Sequence, residues 1–436
     1  MSFPRYPKYK DSGVEWLGKV PEHWEVLPCR AIVHERTAKN EGAECTNYLS
    51  LMANIGIIPY AEKGDVGNKK PEDVSKCKLV TRGDFVINSM NYGIGSYGLS
   101  NYDGVCSSVY IVLKPQNDVV ASRFAFRIFE NRSFQTYAQS FGNGILEHRC
   151  AINWDILKTI GVGVPPMIEQ KAILAFLDRE TAKIDELVAE QRRLMELLKE
   201  KRQAVISHAV TKGLNPDAPM KPSGIEWLGD VPAHWEVKKM KWIAEMQSGH
   251  TPDKKIPAYW ENGDIPWVSL NDTGYLKDND YISETAYSIS QLGIENSSAR
   301  LLPPRVVVFS RDATIGRCAI TTRPMAVSQH FIAWVCGESM IPEFLLLRLR
   351  SMTHELDRLT TGATLKTIGM PDVRTIVTPL PPFEEQQAII DWVSSQTGQL
   401  DTLTTEVQHA IDLLQERRTA LISAAVTGQI DVRAAL

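Results

Sequence analysis

Two short patterns in the chain are of types that can carry chemistry, but neither has the neighbours that the chemistry needs. Residues 93–98, Gly-Ile-Gly-Ser-Tyr-Gly, fit the glycine pattern of dinucleotide-binding loops, which needs a helix directly afterwards to hold the phosphate. Residues 99–104 instead predict a turn. Residues 380–383, Leu-Pro-Pro-Phe, partly match the Asn/Asp-Pro-Pro-Tyr/Phe motif of amino-group DNA methyltransferases, whose polar first residue holds a flipped base. A leucine cannot make that contact, so we interpret these prolines as the start of a helix.

Other residue types that often serve catalysis or metal binding are scattered. His23 and His234 each stand directly before a tryptophan, with no Cys, Asp or second His at ligand spacing, which favours a packing role. The seven cysteines never form a Cys-x-x-Cys pair, which indicates reduced thiols in a cytoplasmic protein and no zinc site. The sequence contains no Gly-Lys-Ser/Thr phosphate loop, His-Glu-x-x-His or serine nucleophile elbow. We therefore predict no catalytic residue and no metal site in this chain.

Two long helices are the elements around which the rest is arranged. Residues 165–170 read Pro-Pro-Met-Ile-Glu-Gln, residues 381–386 read Pro-Pro-Phe-Glu-Glu-Gln, and each run opens a stretch with apolar residues at heptad spacing. A helix of about 40 residues would be about 60 Å long and needs a partner helix. We predict that the two helices pair through Ile173, Leu177, Ile184, Leu187, Leu194, Leu198 and Val205 in the first and Ile389, Val393, Leu400, Leu403, Leu414 and Leu421 in the second.

A second repeat precedes each half of the chain. Residues 12–26 recur as 223–237, with two tryptophans in each copy that are expected to pack on a neighbouring apolar surface. Between the repeats lie two regions of similar length and different sequence, in which residues 85–87, 105–113, 305–309 and 331–335 predict strands. The predicted domains are a lead segment with a first globe (1–164), a central helix (165–215), a second lead segment and globe (216–380) and a C-terminal helix (381–436).

Composition places the chain among globular proteins without naming its partner. Of 436 residues, 43% are apolar and 23% charged, and no apolar run approaches the roughly 18 residues of a membrane span. The N-terminus shows no signal-peptide pattern, so we expect a cytoplasmic protein and no membrane. The net charge of −4 argues little against nucleic acid, because DNA binding needs only a local basic surface.

The order of these segments resembles the specificity subunit of type I restriction–modification systems. The residues that carry the resemblance are the two Pro-Pro-x-x-Glu-Gln helix starts, the repeated Glu-Trp-Leu-Gly…Val-Pro-x-His-Trp segment, and residues 249–252, 263–267 and 361–364. The match covers essentially the whole chain. The first globe lacks the Gly-x-Thr-Pro and Ile-Pro-Trp runs of the second and looks like another subtype of the same domain.

The resemblance implies a non-catalytic DNA reader of the α/β (α+β) class. Two target recognition domains would each read one half of a split, asymmetric target in double-stranded DNA, separated by two antiparallel coiled-coil helices. Two methyltransferase (modification) subunits and two restriction (motor/nuclease) subunits would assemble on this scaffold in a bacterial or archaeal cytoplasm. S-adenosylmethionine, ATP and Mg²⁺ would bind to those partners, with no cofactor in this chain.

Polar loops that follow predicted strands supply the candidate DNA contacts. Base edges are read by Arg, Lys, Asn, Gln, Ser and Thr, and binding residues concentrate on loops held by a rigid scaffold. The predicted DNA-binding residues are Asn88, Asn91, Tyr92, Ser96, Asn143, His148 and Arg149 in the first globe and His250, Thr251, Arg311, Thr314, Arg317, Gln329, His330, Thr364 and Lys366 in the second.

Two other classes of function remain to be weighed against a DNA reader. A self-contained methyltransferase–nuclease would need the cofactor loop and the polar residue before Pro-Pro, and the sequence has neither. A coiled-coil adaptor that binds only protein partners would not need two large, divergent, loop-rich globes. Gel shifts on duplex DNA separate the reader from the adaptor.

Overall fold

A computed structural model describes residues 3–66, 69–142, 151–362 and 366–433. The chain forms two compact units: unit 1 comprises residues 1–192 and 409–436, and unit 2 comprises residues 193–408. Each unit therefore contains one lead segment, one globe and half of each long helix. The boundary between the units crosses both long helices, whereas the sequence analysis separated each helix from its globe.

Unit 1 is built on an antiparallel four-stranded sheet of order β4-β11-β8-β9. The strands among its described residues are β1 Tyr9–Asp11, β2 Lys19–Pro21, β3 Glu25–Pro28, β4 Val33–Glu35, β5 Leu49–Met52, β6 Gly56–Pro59, β7 Lys78–Val80, β8 Phe85–Asn88, β9 Tyr97–Leu99, β10 Gly104–Cys106, β11 Tyr110–Pro115 and β12 Gly161–Val164. Its α-helices are α1 Cys29–Ile32, α2 Ser122–Glu130, α3 Arg132–Ser140, α4 Trp154–Leu157 and the first half of α5 Met167–Lys212.

Unit 2 has a five-stranded sheet, β16-β23-β20-β21-β18, and a three-stranded sheet, β19-β17-β22. Its strands are β13 Met220–Pro222, β14 Asp230–Pro232, β15 Glu236–Lys239, β16 Ala244–Ser248, β17 Ile265–Val268, β18 Tyr281–Ile282, β19 Ser288–Ile289, β20 Val307–Ser310, β21 Cys318–Thr321, β22 Ala326–Val327, β23 Phe331–Cys336, β24 Thr360–Thr361, β25 Thr367–Ile368 and β26 Val377–Leu380. Its α-helices are α6 Thr273–Asp278, α7 Gln291–Glu295, α8 Pro342–Ser351, α9 Thr353–Leu359, α10 Met370–Val373 and the first half of α11 Phe383–Val426.

Most of the predicted strands are present, with two changes at their ends. The run 105–113 is divided into β10 and β11 because the amide of Tyr110 turns back to the carbonyl of Ser107, leaving Val109 exposed. β20 begins at Val307 rather than at residue 305, because Arg305 has a φ of +65° and cannot continue an extended strand.

The two long helices begin and end as their prolines and glycines predict. The Pro166 carbonyl accepts the amides of Glu169 and Gln170, which closes the first turn of α5 without needing a proline amide. The helices end before Gly213 and Gly428, whose φ values of +78° and +72° suit the left-handed residue after a helix C-terminus.

Pairing of the long helices is antiparallel within each unit. In unit 1, Arg418 Nε lies 3.0 Å from Asp185 Oδ1, so the early part of α5 lies beside the late part of α11. In unit 2, Arg202 Nε lies 3.2 Å from Asp401 Oδ1, so the late part of α5 lies beside the early part of α11. The predicted antiparallel helix pair is therefore confirmed.

Three predicted pairing residues do not belong to the buried seam, and three lie only at its margin. Leu187, Leu194 and Leu403 are 44%, 41% and 45% exposed. On a straight helix a strict seven-residue repeat drifts by about 20° per heptad, so the series that starts at Ile173 has turned outward by Leu187. The seam instead includes Thr181, Val188, Val407 and Ile411. Of the other predicted residues, Val205, Leu414 and Leu421 are half-buried and Ile173, Leu177, Ile184, Leu198, Ile389, Val393 and Leu400 are buried.

Candidate nucleic-acid interface

A buried carboxylate at the start of each long helix ties the lead segment to that helix. Glu169 accepts hydrogen bonds from Tyr6 Oη at 2.5 Å and Trp24 Nε1 at 2.8 Å, and His23 Nε2 lies 2.7 Å away. These contacts give His23 a structural partner and explain the glutamate of Pro-Pro-x-x-Glu-Gln.

Unit 2 repeats this arrangement with its own residues. His234 Nε2 lies 2.8 Å from Glu385 Oε2, and Trp235 Nε1 donates to the same oxygen at 3.0 Å. His234 is therefore engaged with the long helix in the same way as His23.

The glutamine next to each carboxylate ties the globe to the helix. Gln170 Oε1 accepts the amide of Ala121 at 2.8 Å, and its Nε2 donates to the carbonyls of Val119 and Pro165. These contacts fix the chain that leads into α2. The glutamate and the glutamine together form what we call the latch of unit 1.

The latch of unit 2 has the same glutamine contacts. Gln386 Oε1 accepts the amide of Ile341 at 2.9 Å, and its Nε2 donates to the carbonyls of Ser339 and Pro381. The segment fixed here leads into α8. The repeated motif thus holds each globe on a long helix.

Four segments of the second globe meet, three of them directly after a strand and one at the start of β25, and we call them the reading cluster. They are residues 249–252 after β16, 311–317 after β20, 328–330 after β22 and 366–367 at β25. Backbone hydrogen bonds join them: the His250 amide donates to Val327, the Arg311 amide to His330 and the Ala313 amide to Lys366. The separate polar runs noted in the sequence therefore form one surface.

Asp312 lies at the centre of the reading cluster and was not among the predicted DNA-binding residues. Its buried carboxylate lies 2.7 Å from His330 Nδ1, accepts the Thr367 hydroxyl and lies 3.6 Å from the Arg311 guanidinium. With the proton on Nδ1, the His330 ring donates to this carboxylate. Its other nitrogen, Nε2, then lies 3.4 Å from Gln329 Nε2. The only sequence signal was a carboxylate between polar residues directly after an apolar strand.

Arg311 supports the reading cluster from within. Its Nε donates to the Gln329 carbonyl at 3.2 Å and its Nη1 to the Ile368 carbonyl at 3.1 Å, and the side chain is 21% exposed. This guanidinium is largely occupied by contacts within the protein, through which Arg311 holds the loops of the reading cluster in place.

The remaining predicted residues of the second globe lie on its surface. His250, Thr314, Gln329 and Lys366 are exposed, and Arg317 is half-buried. Thr251 is half-buried and its hydroxyl bonds to Gln329. Thr364 lies outside the described residues. The cluster is therefore a polar surface with basic side chains at Arg317 and Lys366, a composition suited to contacts with base edges and phosphates.

The first globe places fewer of its predicted residues at the surface. Tyr92 is 0% exposed and its hydroxyl donates to the Phe129 carbonyl, and burial raises its pKa well above the usual value for tyrosine. Ser96 and Asn88 are also buried, at 4% and 8% exposed. We withdraw these three residues from the candidate contacts because the tight turn after β8 folds them inward.

Asn91 is the one predicted residue of the first globe that is both described and accessible. It is half-buried at the turn after β8. Asn143, His148 and Arg149 lie outside the described residues. The glycine run 93–98 leads directly into strand β9, so no helix N-terminus follows it to hold a phosphate.

Neither a metal site nor a membrane-spanning helix is found among the described residues. Within the described part of the chain, no group of three or more His, Cys, Asp or Glu is placed to hold a metal ion. No helix among the described residues is long and apolar enough to cross a membrane.

Comparisons with a family profile and with individual proteins point to the same family. The profile of the family described as "Type I restriction modification DNA specificity domain" matches residues 38–195 and 232–412. The chain is 22% identical over 428 residues to the type I restriction enzyme MjaVIII specificity subunit of Methanocaldococcus jannaschii, with 95% of each chain covered. It is also 22% identical to the type I restriction enzyme EcoKI specificity subunit of Escherichia coli, covering 95% of this chain and 90% of that one.

Solved structures share the fold. A chain solved in work on the structural basis of complex assembly and conformational transition of the type I R-M system superposes with a TM-score of 0.68 at 16% identity, over 93% of this chain and 98% of that chain. The HsdS subunit from Thermoanaerobacter tengcongensis gives a TM-score of 0.52 at 17% identity, over 94% and 98% of the two chains. The two matched regions, one in each half of the chain, and the doubled latch lead to one conclusion: the chain belongs to the family of type I restriction–modification DNA specificity subunits.

Proposed function

We propose that this chain reads a split, asymmetric DNA target, with one globe for each half, and carries no catalytic residue of its own. The observation that supports this most directly is the contrast between equal latches and unequal globes. Glu169–Gln170 and Glu385–Gln386 share the histidine, tryptophan and backbone contacts, yet unit 1 holds a four-stranded sheet and unit 2 a five-stranded and a three-stranded sheet. Two globes that are held on the helices in the same way but differ in their sheets are what recognition of two different half-sites requires.

The test is to map methylated adenines in a host that carries this chain with its modification subunits. We expect one asymmetric motif in two parts with a constant spacer. A continuous motif or a palindrome would overturn the bipartite reading. Absence of sequence-specific methylation, together with no gel shift on duplex DNA of random sequence, would favour an adaptor that binds only protein.

We further propose that two modification subunits dock on the long helices, and that two restriction subunits join them. Exposed leucines support two equivalent docking places: Leu187 and Leu403 are 44% and 45% exposed, and Leu197 and Leu413 are both 51% exposed. Each pair is separated by the 216-residue repeat, so unit 1 carries Leu187 with Leu413 and unit 2 carries Leu403 with Leu197. S-adenosylmethionine, ATP and Mg²⁺ would then bind to the partners, in the cytoplasm where the DNA is.

Native mass spectrometry of single and double variants tests the docking. Leu187→Glu and Leu403→Glu should each remove one modification subunit, and the double variant both. Leu292→Glu, on an exposed leucine of the second globe, is the matched control. Retention of both subunits by the double variant would exclude these leucines from the interface.

A further inference from the structure

A cavity of about 460 Å³ opens beside the reading cluster of the second globe. It lies where the parallel strands β17 and β22 end side by side, with the Ser328 amide bonded to the Val268 carbonyl at 2.9 Å. Thr251, Gln329 and His330 of the reading cluster form part of its lining. The cavity is therefore continuous with the surface assigned to DNA.

Three aromatic side chains line this cavity. Trp260 and Trp267 pack edge to face with ring centroids 5.1 Å apart. Their indole nitrogens donate to the carbonyls of Asp253 and His250, which holds both rings in place. Tyr287 remains 52% exposed. Such a lining suits stacking with a planar heterocycle, the interaction by which proteins hold unstacked bases.

Three polar side chains accompany the aromatic lining, and one of them is buried without a partner. The hydroxyl of Ser328 is buried without a hydrogen-bond partner among the described residues, although buried polar groups normally have one. Asn271 and Gln329 add exposed amide side chains to the lining. Donors and acceptors of this kind match the edge of a nucleobase.

We propose that this cavity binds one nucleobase of the second half-site, turned out of the duplex. The proposal rests on the proposed function, because the base is presented only when this globe is seated on its target. The position would be recognised in the cavity by stacking and by its hydrogen-bonding edge, while the neighbouring pairs are read in the groove by the reading cluster.

Mismatch binding tests the proposal with the full chain and its modification subunits. Each pair of the mapped second half-site is replaced in turn by a mismatch, which removes the cost of unpairing one base. At one position we expect binding to tighten by about 10-fold. Trp260→Ala and Tyr287→Ala should abolish this gain. Trp242→Ala, on a tryptophan that is 69% exposed outside the cavity lining, should retain it.

Three outcomes distinguish failure of the cavity proposal from failure of the proposed function. If every mismatch gain survives in Trp260→Ala and Tyr287→Ala while the matched target still binds, the cavity takes no base and the proposal is overturned. Saturable tryptophan quenching by free adenosine that is lost in Trp260→Ala, without any mismatch gain, would assign the cavity to a free nucleoside and overturn it as well. If the wild-type chain with its modification subunits shows no sequence-specific DNA binding, the proposed function itself is refuted.

Discussion

In each unit a glutamate at the start of a long helix binds the lead segment, but the two glutamates differ in burial and in the number of their partners. In unit 1, Glu169 is 6% exposed and meets three side chains, Tyr6, His23 and Trp24. Glu385 in unit 2 is 28% exposed and meets only His234 and Trp235 among the contacts described. The additional partner, Tyr6, comes from the N-terminal segment.

The C-terminal segment also reaches the latch of unit 1. The Asp431 amide donates to the Pro4 carbonyl at 2.7 Å, and the Arg433 guanidinium lies 4.9 Å from the Tyr6 ring centroid. Residues of the N-terminal and C-terminal segments thus meet around Tyr6, beside Glu169, whereas the contacts described for Glu385 come from His234 and Trp235. A repeated motif can therefore keep the same hydrogen-bond partners and differ in burial.

The largest effect is expected from removing the carboxylates. Glu169→Ala should lower the free energy of unfolding by about 3 kcal/mol, because three donors lose a buried acceptor. Glu385→Ala should lower it by about 1 kcal/mol, since water can replace the more exposed carboxylate. Urea denaturation measures both, with the exposed Glu384→Ala as control. Equal losses in the two variants would contradict the difference in burial.

Removing the glutamines should affect both units alike. Gln170→Ala and Gln386→Ala each leave one backbone amide and two carbonyls without their partner, so we expect a loss of about 2 kcal/mol in each. Gln387→Ala, on the adjacent exposed residue, should change little. A loss confined to one unit would show that the two mountings are less alike than their contacts indicate.

In the reading cluster, two arginines should behave differently. Arg317→Ala should cost about 1–3 kcal/mol of DNA binding and relax one position of the second half-site, if its half-buried side chain reads a base. Arg311→Ala should loosen several positions at once, because Arg311 holds the Gln329 and Ile368 carbonyls. Methylation mapping measures both, and the first half-site is the internal control. If the methylated motif is unchanged in both variants, neither arginine takes part in recognition of the DNA sequence.

The smallest change in affinity is expected from lengthening the long helix. Four residues inserted near Leu194 add about 6 Å and slightly more than one turn. If the helices set the spacing, the DNA spacer should grow by one or two base pairs, at about 3.4 Å each, with both half-sites unchanged. A matching insertion in α11 serves as a second test. An unaltered spacer, or loss of one half-site sequence, would argue against the helices as the ruler.

The sequence determined the layout because its signals are local and repeated. Prolines at 165–166 and 381–382, apolar residues at helical spacing and glycines at 213 and 428 set where the long helices begin and end. The repeated segments 12–26 and 223–237 predicted equivalent packing, which the structure shows on Glu169 and Glu385.

Only the tertiary structure decided which side chains are available. Tyr92 and Asn91 are neighbours in the same polar loop, yet one is in the core and the other at the surface. Leu187 and Val188 are adjacent, and the drift of a straight helix against a heptad, not their hydrophobicity, placed Val188 in the seam. Asp312 became the centre of a cluster because strands distant in sequence end at the same edge of the sheet. Burial and long-range hydrogen bonding depend on where the whole chain passes, and a linear pattern carries no measure of that.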